Sequence, residues 1–199
     1  MERLKKNNHL KSAESSHILS KFPNEPTRPS IEKGDGVNLY LKGGKKLLDA
    51  TSGWTSFAIL GYSHKKVLEA MHAQMRKYCH IDYNIWSSEI LEEVARLLVS
   101  RTPEGLDKVY FSGTSGSEAV EAAMKLSFQV HQASGNTKKN HFIHREQSFS
   151  GATLQAMSVS DQTISNFYDP IKPNNTSKIS EHNAFHGKHE DESLDEYAK

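Results

Sequence analysis

Apolar positions along the chain recur at two spacings. Val37, Leu39 and Leu41 alternate with Asn38 and Tyr40, Gly43-Gly44 supplies a turn, and Leu47-Leu48 begins a return, so order starting near Gly34 is predicted to be a small β-hairpin. From residue 64 the spacing lengthens. Leu68, Met71, Met75 and Tyr78 predict a helix capped by Ser63, with the methionines as core. Ile90, Leu91, Val94, Leu97 and Leu98 predict a second helix after Ser88, with Glu92 four residues before Arg96 on its wet side and Pro103 and Gly105 ending it. The intervening residues 81–86 are too irregular for an element.

The chain turns on residues 108–131. Val109-Tyr110-Phe111 reads as a strand, residues 112–117 as a Ser/Gly turn, and Glu118 to His131 as a helix. Ala119, Ala123, Leu126 and Val130 share one face, Glu121 stands four before Lys125, and Ser115 with Glu118 has capping-box spacing. A helix start gathers N–H groups without intrahelical partners at the positive end of the dipole, so an anion there is held by backbone amides rather than by lysine or arginine. No Gly-Lys-Ser/Thr follows for a triphosphate and no G-x-G-x-x-G follows the strand, which favours a ligand with a single phosphate. On the residues alone, an ordinary capped helix after a Gly/Ser turn stays open.

The pattern repeats at residues 141–157: a short strand to Arg145, the turn Gln147-Ser148-Phe149-Ser150-Gly151, then a helix to Met157. Two such units imply an α/β sheet with helical crossovers. His141 and His144 fall on opposite faces of the strand and are not read as a metal pair. From Asp161 onward few apolar residues occur, so this stretch reads as a loop without a core. His182, His186 and His189 there invite a zinc site, but no cysteine or carboxylate arrangement supports one; Ser193 opens what reads as the first turn of a helix. Trp54 and Phe57, just before Gly61-Tyr62-Ser63-His64, either line a pocket or anchor their loop.

Composition adds limits rather than direction. With 199 residues, 36% of them apolar, the chain can bury one ordinary domain, and its net charge of +1 gives neither nucleic acid nor an acidic membrane surface a claim. The single Cys79 excludes an intramolecular disulfide and a Cys-rich zinc site; it is expected to pack as a small apolar group, in a reducing compartment. No apolar run reaches membrane-spanning length and the start is polar, so a soluble cytoplasmic protein is the expectation. Residues 1–30, rich in Lys, Ser, Asn and Pro, read as a mobile arm.

Residues 111–126, Phe-Ser-Gly-Thr-Ser-Gly-Ser-Glu-Ala-Val-Glu-Ala-Ala-Met-Lys-Leu, resemble the phosphate-cup segment of the class III aminotransferases, which use pyridoxal 5′-phosphate (PLP). Residues 34–53 are similar to the hairpin before that family's active-site loop. Residues 147–153 are similar to the motif whose aromatic lies on the cofactor ring; Phe149 takes that position, and Ser150 stands where the family has a larger polar or aromatic residue, often His. The resemblance runs from about Gly34 to Asp161.

It implies an α/β fold, the N-terminal part of a fold-type-I PLP-dependent transferase: an incomplete three-layer αβα large domain preceded by a small-domain hairpin. The chain then divides into a flexible arm (1–33), the hairpin and active-site loop (34–60), the first part of the PLP-binding domain (61–160), and a polar loop with a truncated helix (161–199). Ser115, Gly116, Ser117 and Phe149 are implied to bind the cofactor, Trp54 to border the substrate, and His64 to be structural; no metal is implied. The implied reaction passes an amino group from a small donor to an oxo acid or aldehyde in a homodimer with shared sites. The family's aspartate for the pyridine nitrogen and its Schiff-base lysine match no residue here. No catalytic residue is therefore assigned, and the chain is expected to be a fragment inactive alone. Two other readings stay open: a non-catalytic chain using the corner to bind a ligand or partner, and a structural or interaction protein with a chance motif.

Overall fold

The computed structural model describes residues 17–19, 28–54 and 57–198, so most of the expected arm lies outside the described residues. The chain divides into two units, Met1–Ser87 and Ser88–Lys199.

In the first unit, β1 (Ile31–Asp35), β2 (Asn38–Leu41) and β3 (Lys46–Leu48) form an antiparallel sheet in that order. The expected hairpin is β2 and β3: Leu39 faces Leu47, and Gly44 N–H donates to Leu41 O at 2.9 Å across the Gly-Gly turn. β1 was not expected. It carries one apolar residue, Ile31, and a register shift between Ile31 and Lys33, so it shows no alternation.

The loop after β3 is organised by Asp49. Its carboxylate accepts from Thr51 N–H at 2.8 Å, Thr51 Oγ1 at 2.7 Å, Gly53 N–H at 2.6 Å and Tyr62 O–H at 2.8 Å. These bonds, the Thr51 hydroxyl's first, hold the Asp49 carboxyl far below the usual carboxylate range, while the same carboxylate pushes the Tyr62 phenol up. Tyr62 then bridges back to Gly36, each residue's N–H donating to the other's carbonyl.

Helix α1 (Lys65–Lys77) follows, with His64 rather than Ser63 at its N-cap. Ser63 cannot cap because it sits at φ 58° and its hydroxyl donates instead to Gly34 O at 2.8 Å. No residue of α1 is buried; Met71 and Met75, expected as core, are exposed because nothing described covers their face. Cys79 is exposed too, not packed as expected.

In the second unit, α2 (Glu89–Val99) starts after Ser88 as the sequence predicts, and α3 (Gly116–Ala133) is the central helix. The run Val109-Tyr110-Phe111 is not a strand, since no described strand pairs with it to complete a ladder. β4 (Phe142–Arg145) is the expected strand. It pairs in parallel with β5 (Thr176–Ile179), Phe142 facing Thr176 and Arg145 facing Ile179. Helix α4 (Leu154–Ser158) lies between them in sequence.

The stretch expected as a loop is therefore partly ordered: a 3-10 helix (Thr163–Ile171), β5, and two single-turn helices, α5 (Ala184–Gly187) and α6 (Leu194–Tyr197). α6 is the expected helix start, and Ser193 with Glu196 forms its capping box. Most buried positions of this unit gather around the end of α4 and the residues after it: Met124 of α3, then Ala156, Ser158, Val159, Ser160 and Ser165. Leu126 and Val130, on the face of α3 expected to pack, are more than half exposed.

Candidate functional site

The site is built on two loops of the second unit. At the first, Ser115 caps α3 from extended backbone, φ −141° and ψ 152°. Its hydroxyl accepts Glu118 N–H at 3.3 Å, and the Glu118 carboxylate accepts Ser115 N–H at 3.0 Å and Thr114 N–H at 2.8 Å. These amides, Thr114's first, hold the Glu118 carboxyl below its ordinary value. The carboxylate needs Gly113, which sits at φ 106°, where a Cβ would stand 3.0 Å from Glu118 Oε2.

The capping box thus occupies the amides of Thr114 and Ser115 and leaves those of Gly116 and Ser117. Neither donates to any acceptor among the described residues, as expected for the first two positions of a helix. Gly116 is exposed, and a Cβ built on it would meet nothing within 4 Å. The Ser117 hydroxyl accepts one bond and keeps a proton to donate, while the Ser115 hydroxyl accepts Glu118 N–H and also faces the Glu118 carboxylate. Two unpartnered amides, the Ser117 hydroxyl and the positive end of an 18-residue helix dipole are groups that suit an anion without a lysine or arginine.

The second loop follows β4. Gln147, at φ 55°, donates its N–H to Asp161 Oδ2 at 3.0 Å, and Asp161 N–H donates to Ser148 O at 2.9 Å. Asp161 also pairs with Lys178 of β5 at 3.2 Å; the Gln147 amide above all, and then Lys178, hold its carboxyl below the ordinary range. Ser150 is fixed at both ends: its N–H donates to Ser160 Oγ and its hydroxyl to Val159 O, each at 2.8 Å. Phe149, between these anchored neighbours, is 66% exposed. A phenyl ring held by its backbone with an open face can serve as a stacking surface.

The two loops touch. Ala152 N–H donates to Ser117 Oγ at 2.9 Å, and a Cβ on Gly151 would fall 2.7 Å from that same oxygen. Thr153 Oγ1, beside this contact at the N-cap of α4, is buried without a hydrogen-bond partner. A cavity of about 600 Å³ opens at the carboxyl ends of β4 and β5, lined by Arg145, Gln147, Ser148, Glu181, Asn183 and Phe185, and another of about 350 Å³ lies against Met124, Ser148 and Ser150. Neither is lined by the Gly116 corner or by Phe149.

Ser117 therefore comes together with the loop that carries Phe149, and Ser115 and Gly116 flank it. Trp54 belongs to the other unit, where it stands at φ 62°, 74% exposed, with its N–H donating to Thr51 Oγ1 at 3.2 Å. Among the described residues no three His, Cys, Asp or Glu side chains converge as a metal site, and no helix is long and apolar enough to cross a membrane. Sequence reasoning missed Asp49 and Asp161. Asp49 was signalled by Asp-Ala-Thr-Ser-Gly, whose short acid reaches amides two and four residues on; Asp161 acts across 14 residues and left no local signal.

The second unit thus joins a parallel strand pair to a helix that starts with two unpartnered amides. The chain belongs to the class III aminotransferase family, whose model matches residues 21–198. It is 36% identical over 188 residues to an uncharacterised aminotransferase of Schizosaccharomyces pombe, covering 94% of this chain and 40% of that one. It is also 34% identical over 167 residues to the acetylornithine aminotransferase of Methanosarcina mazei, covering 84% and 38%.

The fold is that of the fold-type-I transaminases. The ω-transaminase of Pseudomonas jessenii in complex with PMP superposes with a TM-score of 0.78 at 24% identity, over 86% of this chain and 38% of that one. The PMP-bound aminotransferase of Vibrio fluvialis gives 0.77 at 21% identity, over 85% and 37%. This chain thus spans about two-fifths of the length of these proteins.

Proposed function

We propose that this chain supplies the phosphate corner and ring platform of a PLP-dependent transaminase, which passes an amino group from a small amino donor to an oxo acid or aldehyde. The observation that carries this reading is the pair of unpartnered amides, Gly116 and Ser117, at the start of α3 in a chain of this family. The Gly116 and Ser117 amides and the Ser115 and Ser117 hydroxyls hold the phosphate, and Phe149 covers one face of the ring. Trp54 borders the substrate. PLP, when bound, supplies the electron sink for the reaction; the protein contributes binding, orientation and a fixed field.

No residue described here is assigned to proton transfer. No described lysine is buried, and the one with a shifted pKa, Lys178, is pushed up by Asp161, opposite to what a nucleophilic amine needs. We infer that these 199 residues alone bind PLP through phosphate and ring without a covalent link, and do not transaminate. A homodimer with shared sites agrees with the exposed apolar faces of α1 and α2. Cytoplasmic location agrees with a single cysteine.

The test is to add PLP to the purified chain, then follow its absorbance, its borohydride-reducible attachment and amino transfer from a panel of donors. Reversible, phosphate-dependent binding with no reducible adduct and no turnover supports the reading. A site-specific adduct with turnover above free PLP overturns the inactive-alone part, and no binding overturns the whole.

A further inference from the structure

The contact between the two loops does more than pack them. Ser117 Oγ accepts Ala152 N–H at 2.9 Å, an amide just ahead of α4 with no helical acceptor of its own. That bond occupies a lone pair of the hydroxyl and leaves its proton free to donate elsewhere. Gly151, buried at φ 151°, permits the approach: a Cβ there would stand 2.6 Å from Ala156 Cβ, 2.7 Å from Ser117 Oγ and 2.9 Å from Ser117 Cα.

From Ala152 back to Phe149 there is little slack. Gly151 is wedged against the first turn of α3, and Ser150 is anchored by its N–H to Ser160 Oγ and by its hydroxyl to Val159 O. Ser160 Oγ in turn donates to Ala156 O at 2.9 Å, tying the anchor to α4. The Ser117–Ala152 bond, which spans 35 residues of sequence, thus helps to fix the backbone of Phe149 relative to the Gly116 and Ser117 amides, beside the Gly151 contact and the bond from Gln155 Nε2 to Met124 Sδ.

We propose that Ser117 is a positioning residue as well as a phosphate contact: its hydroxyl latches the phosphate corner to the Phe149 loop and sets the spacing between them. The proposal rests on the PLP reading above. Such a latch makes phosphate and ring recognition interdependent, because a ligand carrying both at one fixed separation meets a preformed pair of contacts.

The experiment titrates the protein separately with PLP, inorganic phosphate and pyridoxal, in wild type, Ser117→Ala, Ser117→Cys and Gly151→Ala. Cysteine keeps the shape and is a weak acceptor, while Gly151→Ala parts the loops with the Ser117 hydroxyl intact. The latch predicts that all three variants lose affinity for PLP and for pyridoxal. It also predicts that Phe149→Ala weakens PLP less in the Ser117→Ala background than in wild type. Without ligand, Ala152 amide exchange should speed about fivefold in Ser117→Ala, as for the loss of one ordinary hydrogen bond.

A residue that only contacts phosphate would weaken phosphate and PLP by the same factor, leave pyridoxal untouched and combine additively with Phe149→Ala; that pattern overturns the proposal. So does unchanged Ala152 exchange. Should Gly151→Ala not fold, the two Ser117 variants decide. If wild type binds no PLP, the functional reading fails and this inference with it, whereas the ligand-free Ala152 measurement reports on the bond by itself.

Discussion

Two loops of this molecule place a carboxylate among backbone amides, and they end differently. In the Asp49 loop two amides and two hydroxyls converge on the acid's two oxygens. At the start of α3, Glu118 takes up the amides of Thr114 and Ser115 and stops there, leaving those of Gly116 and Ser117 without an acceptor among the described residues. The first loop carries its own anion on four donors. The second has one anion in place and two amides left over. A ligand site is marked by donors that folding leaves over, more than by the number of donors present.

Substitutions can break this contrast from either side. Asp49→Ala should have the largest structural effect, because four donors lose their acceptor at once. Thr51 and Gly53 amides should lose hydrogen-exchange protection, and the thermal midpoint should fall further than for Gly116→Val or Phe149→Ala.

Gly116→Val should leave stability within about 1 kcal/mol, the helix-propensity range, because its Cβ meets no protein atom. PLP affinity should nonetheless fall about tenfold or more, since the branched side chain fills the space the phosphate requires; one charge-assisted bond is worth roughly that much. Equilibrium dialysis with PLP against the thermal midpoint separates the two effects. Phe149→Ala should cost a smaller amount, about 1 kcal/mol or fivefold in PLP affinity, without unfolding a chain in which that ring is already exposed.

The smallest effect is on pH. Asp161 has its carboxyl lowered on folding, so its contribution is fully present above the unfolded value near ~3.9 and is lost as pH falls through the lower folded value. Gln147 amide exchange should therefore accelerate only in that acid window. Asp161→Asn should remove the dependence.

Much of the local structure was legible in the sequence. The spacing of Ser115 and Glu118 gave the capping box, Gly43-Gly44 gave the turn between β2 and β3, and the three-and-four spacing gave α1 and α2. The misses share a cause. β1 and β5 carry one apolar residue each, and their pairing supplies what their patterns lack. Val109-Tyr110-Phe111 has the pattern and lacks the pairing. The site divides the same way: Ser115, Gly116 and Ser117 stand out by local chemistry, while the bonds from Asp161 to Gln147 and from Ala152 to Ser117 arise only when distant segments meet. Ser150, whose contacts the motif left open, turns out to anchor the Phe149 loop.

The central claim is that the unpartnered amides of Gly116 and Ser117 receive the phosphate. The most direct measurement is a titration of the 15N-labelled protein with PLP, following backbone amide shifts. The account predicts the largest saturable shifts at Gly116 and Ser117, reproduced in part by inorganic phosphate, abolished in Gly116→Val, and absent at Thr51 and Gly53. Saturable binding that leaves Gly116 and Ser117 unmoved, with shifts instead in the loops after β4 and β5, would contradict it.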